Sequence, residues 1–423
     1  MTTPSVLHRI VVGLLLSAPA IAFYSLLSGT TVNVPYLDDY DTILRFVEGE
    51  RSVSELLAPH VEHRLAGVRV VASTALALTG EIDFRLLAVA GNLGVLATAT
   101  VLYLGFRPKA DSPGKLLAFV PASWFLFQPQ YWDSFFWATS ALSNLWVLPI
   151  SGLAFIALLH RQPIAVAAAM ALTTVAALTQ ANGLLCLPIG LVLLAFQHRG
   201  RAAAAWIAFG LALGGAYASG LALPDGHPGG LSALGSGSVI LYALNFLGAA
   251  GGFGIPSAST AVGLAVAASA VVLAPSAMAR NPALYALLLL VTASAVLNGL
   301  GREFISGPDY ALGATRYRFY GSAALAITYL LWAEGLGAGR LRRAFVASGI
   351  AAAMAFGIAS FALGIEQARA VSTRLERGIV NWPYSRRGLA HPDAQSAHDI
   401  LGRAVSAGIY RAPQSNHESR NPE

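Results

Sequence analysis

Long apolar runs recur along the chain and are separated by short polar loops. Many of these runs are roughly 17 to 22 residues long, which is the length that a helix needs to cross the hydrocarbon core of a bilayer. Membrane β-barrels would instead show short segments of alternating polarity. The pattern predicts an all-α polytopic membrane protein with about eleven spanning helices, at 10–29, 84–106, 116–128, 144–159, 164–180, 184–197, 203–223, 260–279, 283–300, 319–336 and 344–364.

Two further apolar segments, 65–80 and 238–254, are ambiguous. Segment 65–80 is short and carries Arg69, which favours an interfacial helix that lies on the membrane surface. Segment 238–254 is rich in glycine and polar at Asn245, which favours a re-entrant or broken helix. We predict that neither segment crosses the membrane.

Lys and Arg residues are concentrated in alternate loops, and this asymmetry predicts the orientation of the helices. Loops 129–143, 181–183 and 224–237 contain neither residue, whereas Arg9 precedes the first span. The N-terminus is therefore predicted to be cytoplasmic, and the first loop, 30–83, extracytoplasmic. The excess of 27 basic over 21 acidic residues reflects the cytoplasmic loops, so no nucleic-acid partner is predicted.

The composition changes after residue 364. Residues 1–364 carry all the apolar segments and are predicted to form one transmembrane domain. Residues 365–423 are polar, with helical patterning near 394–408 and a Pro- and Asn-rich end. They are too few to build a large core, so we predict a small extracytoplasmic segment with a disordered end from about residue 412.

Charged residues make up only 11% of the chain, yet they cluster in the loop directly after the first apolar run. Asp38, Asp39 and Asp41 lie within four residues of one another, and their mutual repulsion would raise a pKa and poise one carboxylate as a general base. Alternatively, Asp38 and Asp39 could bind a divalent cation, Mg²⁺ or Mn²⁺, or one aspartate could cap a helix that begins near Thr42.

Two basic clusters are candidates for binding a phosphate. His60, Glu62, His63 and Arg64 do not have the spacing of a helical zinc motif, but arginine forks and histidine donors suit phosphate oxygens. A surface salt-bridge cluster is the alternative. The second cluster contains Arg302, Arg316 and Tyr317, in a loop predicted to be extracytoplasmic, where arginines need an anionic partner. That partner is either lipid headgroups or a bound polyprenyl phosphate.

Aromatic and amide side chains at the predicted outer ends of the spans are candidates for binding a sugar or an acceptor. Trp132 and Asp133 follow one span, Asn144 lies near the start of the next, and Asn182 lies in another short outer loop. Tryptophans in such positions usually belong to the aromatic belt of a membrane protein. They also stack on sugars, whose hydroxyls bond to Asn and Asp.

Several of these motifs resemble those of the GT-C glycosyltransferases, polytopic enzymes that use polyprenyl-phosphate sugars. The sequence VPYLDDY at 34–40 looks like the family's acidic motif. The strings HVEHR at 60–64, TGEIDFR at 79–85 and YLGFR at 103–107 look like the interfacial helix, short turn and second span of the bacterial aminoarabinose, mannosyl and arabinofuranosyl transferases. Ala58-Pro59-His60 departs from the family's Lys-Pro-Pro, whose lysine contacts phosphate.

The resemblance covers about residues 1–110 and implies an inverting, single-displacement sugar transfer at the outer face of a bacterial inner membrane. Asp38 or Asp39 would remove the proton from a hydroxyl of a glycan, lipid or protein acceptor. Arginines would stabilise the departing polyprenyl phosphate. Glu62 is expected to contact the sugar or the acceptor. A transporter or flippase for a lipid-linked saccharide is the alternative, although such proteins usually place their polar groups at mid-membrane.

Overall fold

The computed structural model describes residues 6–110, 112–221 and 237–413. In these ranges the chain forms helices and no β-strand, so the prediction of an all-α fold is confirmed there. The α-helices are α1 (Val6–Thr30), α2 (Arg45–Glu48), α3 (Val53–Leu57), α4 (Ala66–Thr79), α5 (Phe84–Gly105), α6 (Ser112–Leu126), α7 (Ala138–Leu158), α8 (Pro163–Thr179), α9 (Cys186–Phe196), α10 (Gly200–Ala218), α11 (Gly237–Gly248), α12 (Pro256–Arg280), α13 (Pro282–Ser306), α14 (Tyr310–Gly313), α15 (Arg318–Gly335), α16 (Arg340–Ser385) and α17 (Ala394–Ser406).

Each predicted spanning segment overlaps one of these helices. Six of them, α1, α5, α7, α12, α13 and α16, are long and apolar enough to cross a membrane by length and composition. The ambiguous segment 65–80 forms the short helix α4, and segment 238–254 forms α11 followed by a turn. The chain therefore has the make-up of a helical membrane protein.

Local sequence signals set where several helices begin. Proline occupies the first position of α8, α12 and α13, where its missing N–H would have had no helical partner. Asp83 caps α5 by accepting from the backbone N–H of Arg85 at 2.8 Å. Asp393 caps α17 through two backbone N–H groups. These caps explain why polar residues occur directly beside the apolar runs.

Small residues allow neighbouring helices to pack backbone against backbone. A Cβ atom on Gly248 of α11 would lie 1.8 Å from the carbonyl oxygen of Ser259 in α12, and one on Gly263 would lie 1.9 Å from that of Leu244. Gly91 and Gly94 of α5 meet Ala141 and Leu145 of α7 in the same way. Such contacts are typical of helices that associate without a hydrophobic driving force in lipid.

The helices bring two groups of loops to opposite ends of the bundle. At the end where α1 begins, Asn281 donates hydrogen bonds to Gly105 and to the buried carboxylate of Glu334, both at 2.8 Å. We call this the basic end, because Arg107, Lys109, Arg161, Arg199 and Arg340 lie in its loops or at its helix starts. The acidic loop 31–65 lies at the other end, which we call the acidic end.

Helix α16 continues well beyond the predicted span at 344–364. Its 46 residues give a rod about 69 Å long at 1.5 Å per residue. Residue 364, after which the composition changes, therefore lies inside one continuous helix. Helix α17 coincides with the predicted helical pattern near 394–408. Most of the predicted disordered end lies outside the described residues.

Candidate functional site

A small polar cavity of about 270 Å³ lies at the acidic end of the bundle. Five parts of the chain contribute to its wall: the acidic loop, the start of α7, the end of α8, the last turns of α13 and the segment around α14. The side chains that line it are mostly polar or charged, and they include Asp38, His60, His63, Trp137, Thr139, Ser140, Ser143, Gln180, Arg302, Tyr310 and Arg316.

A larger cavity of about 800 Å³ adjoins the polar cavity. It is lined mainly by apolar residues of the turn 181–185, α10, α11 and α13, such as Leu185 and Leu297. His63, Gln180 and Arg302 line both cavities. The two spaces therefore meet at a polar boundary, where Arg302 is paired with Glu62, with apolar walls on one side and polar walls on the other.

The three aspartates of the acidic loop have separate positions. Asp38 lines the polar cavity, its side chain is 48% exposed, and its Oδ2 lies 3.9 Å from Nε2 of His60. Asp41 lines neither cavity and instead pairs with Arg45 and His391, each at 3.0 Å. Of the three, Asp38 is thus the one whose carboxylate can reach a molecule in the cavity.

Asp39 is completely buried and holds the start of α7. Its Oδ1 accepts the backbone N–H of Thr139 at 2.7 Å, and its Oδ2 accepts those of Ala138 and Tyr36 at 3.2 and 3.1 Å. Burial raises the pKa of Asp39 to about 7. The N–H donors favour the ionised form and lower the pKa, but the effect of burial is larger. Asp39 does not cap the helix near Thr42, because its side chain accepts no backbone N–H there. Its carboxylate instead binds backbone N–H groups at the start of α7, about 100 residues away.

The geometry does not support a divalent cation bound jointly by Asp38 and Asp39. Both oxygens of Asp39 accept backbone N–H groups inside the protein, and only Asp38 lines the cavity. In the described ranges no group of three or more His, Cys, Asp or Glu side chains is arranged to hold a metal ion.

The histidines and Glu62 form a connected cluster at the boundary of the two cavities. His60 and His63 exchange backbone hydrogen bonds of 2.7 and 2.9 Å, which turn the loop so that both rings line the polar cavity. Glu62 forms an ion pair with Arg302 and lies 3.3 Å from Nε2 of His63. Burial opposes ionisation of Glu62, but His63 and Arg302 outweigh it, so the pKa of Glu62 is lowered to about 2.

Arg316 is a cation surrounded by aromatic rings. Its guanidinium lies 5.0 Å from the ring centre of Trp137 and 4.5 Å from that of Tyr317. It donates hydrogen bonds of 3.2 Å to the hydroxyls of Tyr310 and Tyr317. Within the described residues Arg316 forms no ion pair, and the carboxylate of Asp133 favours its charged form from a longer distance. The rings hold the guanidinium at the polar cavity. Tyr317 positions Arg316 and does not itself line either cavity.

Arg64, which the sequence groups with the phosphate ligands, has a different role. Its Nε donates to the carbonyl of Tyr217 at 2.9 Å, and its other nitrogens donate to the carbonyls of Leu57 and Ser219. The guanidinium also lies 5.7 Å from the ring centre of Tyr217. Because its donors are occupied by carbonyls, Arg64 ties the acidic loop to the end of α10 and lines neither cavity.

The residues proposed to bind a sugar are divided between the cavities and the protein interior. Asn182 lines the large cavity and donates to the Tyr320 hydroxyl at 3.0 Å. Asn144 is buried and lines neither cavity. Its side-chain oxygen accepts a hydrogen bond of 3.1 Å from the amide of Gln180. Trp132 and Asp133 lie in the turn 129–135, outside both cavities, and burial raises the pKa of Asp133.

Several polar atoms at the polar cavity are buried and have no hydrogen-bond partner in the described part of the chain. They are Trp137 Nε1, His63 Nδ1 and Gln180 Oε1. Buried polar atoms are normally paired, so this concentration indicates a site for a polar molecule that carries both donors and acceptors.

Sequence reasoning did not select Trp137, Gln180 or Tyr310 as site residues. Trp137 and Gln180 lie at helix ends among apolar residues, where the aromatic belt and capping explain them equally well. Tyr310 is one of 14 tyrosines. A possible signal was that each lies beside a predicted extracytoplasmic helix end, but this signal does not separate lining residues from packing residues.

The C-terminal segment holds the acidic loop from outside. The N–H of Leu37 donates to Ala390 at 2.7 Å, and the Tyr410 hydroxyl donates to Asn33 at 2.7 Å. The His391 ring bonds to Asp41 and packs 5.4 Å from the ring of Tyr40. Further contacts join Arg403 to Glu48, and Ile82 to Ile409. We call residues 386–412 the clasp.

We expect His391→Ala to loosen the acidic loop. The substitution removes the bond to Asp41 and the ring contact with Tyr40, so local opening of residues 33–48 should cost less free energy. Hydrogen–deuterium exchange of peptides from this loop should become faster. His160→Ala, a histidine at the basic end, is the matched control and should leave their exchange unchanged; equal exchange in both variants would show that the clasp does not hold the loop.

No protein-family model matches this chain, and no curated protein matches it in sequence. The site therefore has to be interpreted from its own geometry and chemistry.

Proposed function

We propose that this protein is a membrane glycosyltransferase that moves one sugar from a polyprenyl-phosphate donor to an acceptor hydroxyl. The observation that supports this most is the order of surfaces along the two cavities. An apolar space of about 800 Å³ leads to cations and then to a polar space that contains a carboxylate. A lipid-linked sugar has the same order of parts, namely tail, phosphate and sugar.

The size and chemistry of the polar cavity suit a single sugar. Its volume of about 270 Å³ corresponds to about nine water molecules at roughly 30 Å³ each, which is space for one monosaccharide. The unpaired atoms of Trp137 and Gln180 are a donor and an acceptor, and sugar hydroxyls can satisfy both kinds. Asn182 in the adjoining cavity can contact the same ligand.

Arg302 and Arg316 are the proposed phosphate ligands. Both line the polar cavity, and Arg302 also lines the apolar one. The proposed phosphate would take the place of Glu62 as the partner of Arg302 and would extend toward Arg316. The charge on the phosphate grows as the bond to the sugar breaks, and fixed cations stabilise that charge without reorganising. His63 lies at the same boundary and His60 lines the polar cavity beside it, and both rings can donate a hydrogen bond.

Asp38 is the proposed general base. Its carboxylate removes the proton from the acceptor hydroxyl as the acceptor oxygen forms a bond to the anomeric carbon. The bond from that carbon to the phosphate oxygen breaks, and the phosphate leaves with the electron pair. A single displacement of this kind inverts the anomeric configuration. Asp39 contributes indirectly, because it fixes the start of α7 and the wall that contains Thr139.

The proposed setting is the bacterial inner membrane, with about eleven spans and a cytoplasmic N-terminus. The polar cavity and the clasp would then face the extracytoplasmic side. The basic residues at the opposite end of the bundle support this orientation through the positive-inside rule. The proposed acceptor is a glycan, lipid or protein presented from outside.

A flippase for a lipid-linked saccharide is the second candidate, and the large apolar cavity favours it equally. The position of the polar site argues against a flippase. The ionisable residues lie at one end of the bundle, whereas transporters place their sites near mid-membrane. The two candidates differ in one outcome: only a transferase releases free polyprenyl phosphate.

The test is a thermal-shift and mass-spectrometric screen of the detergent-purified protein against polyprenyl-phosphate sugars, with and without candidate acceptors. We expect a donor to raise the unfolding temperature. Arg316→Gln should weaken donor binding by about ten- to a hundredfold, because a charge-assisted hydrogen bond is worth roughly 1.5–3 kcal/mol. The exposed Arg85→Gln removes the same charge away from both cavities and should bind like the wild type.

Two outcomes would contradict the proposal. Equal donor affinity in the Arg316→Gln and Arg85→Gln proteins would mean that Arg316 does not contact the phosphate. Donor that binds the wild type but is never consumed with any acceptor class would favour the flippase.

A further inference from the structure

A third cavity, of about 580 Å³, lies between α8 and α10 at the basic end of the bundle. Arg161, Arg199 and Arg201 line it where the two helices begin. Val166 and Met170 of α8 and Ala205 of α10 line it further along the helices. The cavity therefore has a cationic part at the helix starts and an apolar part within the bundle.

The protein supplies no anion to balance these arginines. In the described ranges no ion pair involves Arg161, Arg199 or Arg201. Arg199 donates to the carbonyl of Leu158 at 2.7 Å, which fixes its position. Burial and the like charge of Arg161 both lower the pKa of Arg199. The starts of α8 and α10 add the partial positive charge of two helix N-termini.

We propose that this cavity binds an anionic phospholipid, with the phosphate at the arginines and an acyl chain along Val166 and Met170. Arginine forks match phosphate oxygens in geometry and charge, and basic cavities between membrane helices bind anionic headgroups. A soluble phosphate ion would satisfy the arginines but would leave the apolar part of the cavity uncovered. A lipid satisfies both parts.

The lipid would hold α10 in place. All residues of α10 are described, and only Trp206 and Tyr217 are buried. Trp206 attaches the helix to α9 through a 2.9 Å bond to Leu187. At its other end α10 carries Tyr217 and Gly214, which line the large apolar cavity. A lipid between α8 and α10 thus fixes one wall of that cavity, and this role does not depend on the proposed sugar transfer.

Native mass spectrometry of the detergent-purified full chain tests the proposal directly. We expect the wild type to retain phosphatidylglycerol about tenfold or more tightly than phosphatidylcholine, the scale expected for charge-assisted hydrogen bonds. The double variant Arg161→Gln/Arg201→Gln should lose this preference. Arg199 is unchanged in this variant, so its bond to Leu158 is retained. The control Arg9→Gln/Arg340→Gln removes the same charge from exposed arginines at the same end, outside the cavity, and should retain the preference.

A second variant leaves the charge unchanged. Ala205→Phe places a ring in the cavity and should reduce retention of phosphatidylglycerol while every arginine remains, which keeps the proposal testable if the double variant does not fold. Equal loss of preference in both double variants, or equal retention of the two lipids by the wild type, overturns the proposal. The proposal is also overturned if inorganic phosphate displaces phosphatidylglycerol and stabilises the protein to the same extent, because the site then recognises a soluble anion.

Discussion

Asp38→Asn is expected to lower the rate of sugar transfer by about a hundred- to ten-thousandfold, the range that a positioned general base contributes. The amide has nearly the shape of the carboxylate but cannot accept the proton of the acceptor hydroxyl. Because the Asp38 side chain is half exposed and bonds to no backbone group in the described residues, the fold and donor binding should be preserved. Single-turnover release of polyprenyl phosphate from preformed donor complex measures the effect.

Asp41→Asn is the matched control for this experiment. It makes the same change three residues away, on a side chain that lines neither cavity, and the amide oxygen can still accept from His391. Its rate should stay close to that of the wild type. Similar losses in both variants would mean that the loop as a whole, rather than the Asp38 carboxylate, supports the reaction.

Asp39→Asn is expected to change how stability depends on pH. Burial raises the pKa of Asp39 to about 7, whereas an unfolded aspartate has a pKa of about 3.9. Between these values the folded chain keeps a proton that the unfolded chain has released. The protonated Asp39 therefore makes its largest contribution to the free energy of unfolding below about pH 4. This contribution falls by up to about 1.4 kcal/mol per pH unit until about pH 7.

The asparagine variant has no such proton, and its amide also points a donor at the backbone N–H groups of Tyr36 and Ala138. We therefore expect Asp39→Asn to be less stable than the wild type at pH 4.5. This difference in stability, the gap, should narrow as the pH rises to 7.5. Thermal unfolding in detergent, followed by tryptophan fluorescence, measures the gap. A constant gap across this range would contradict the titration of Asp39, and Asp38→Asn run in parallel controls for loss of a neighbouring carboxylate.

The sequence predicted the helical class and the polar loop, because both depend on local signals. Apolar runs of membrane-spanning length identify helices directly. The cluster of charge at 33–64 stands out against an apolar background. Neither signal requires knowledge of which distant residues meet, which explains why these predictions could be made without the structure.

The separate positions of Asp38, Asp39 and Asp41 could not be predicted. Three carboxylates in four residues look alike in a sequence, and their environments come from distant parts of the chain. Asp39 is buried by the start of α7, and Asp41 is bonded to the clasp, 350 residues away. Tertiary packing alone leaves Asp38 at the cavity.

The arginines show the same limit. Arg64 is close in sequence to the proposed base and looked like a phosphate ligand, but the carbonyls at the end of α10 occupy its donors. Arg316 is far away in sequence and reaches the cavity because aromatic rings hold it there. Spacing along a chain does not reveal which guanidinium is already bonded to the backbone.

The clasp also bears on biosynthesis. A ribosome makes the acidic loop early and the residues that contact it last, since His391 follows Asp41 by 350 positions. During synthesis the loop emerges without the partners of Leu37, Asp41 and Glu48. The nascent chain can therefore insert its helices before the loop acquires its final shape, and a chain that terminates after α16 would be inserted but left without a finished site.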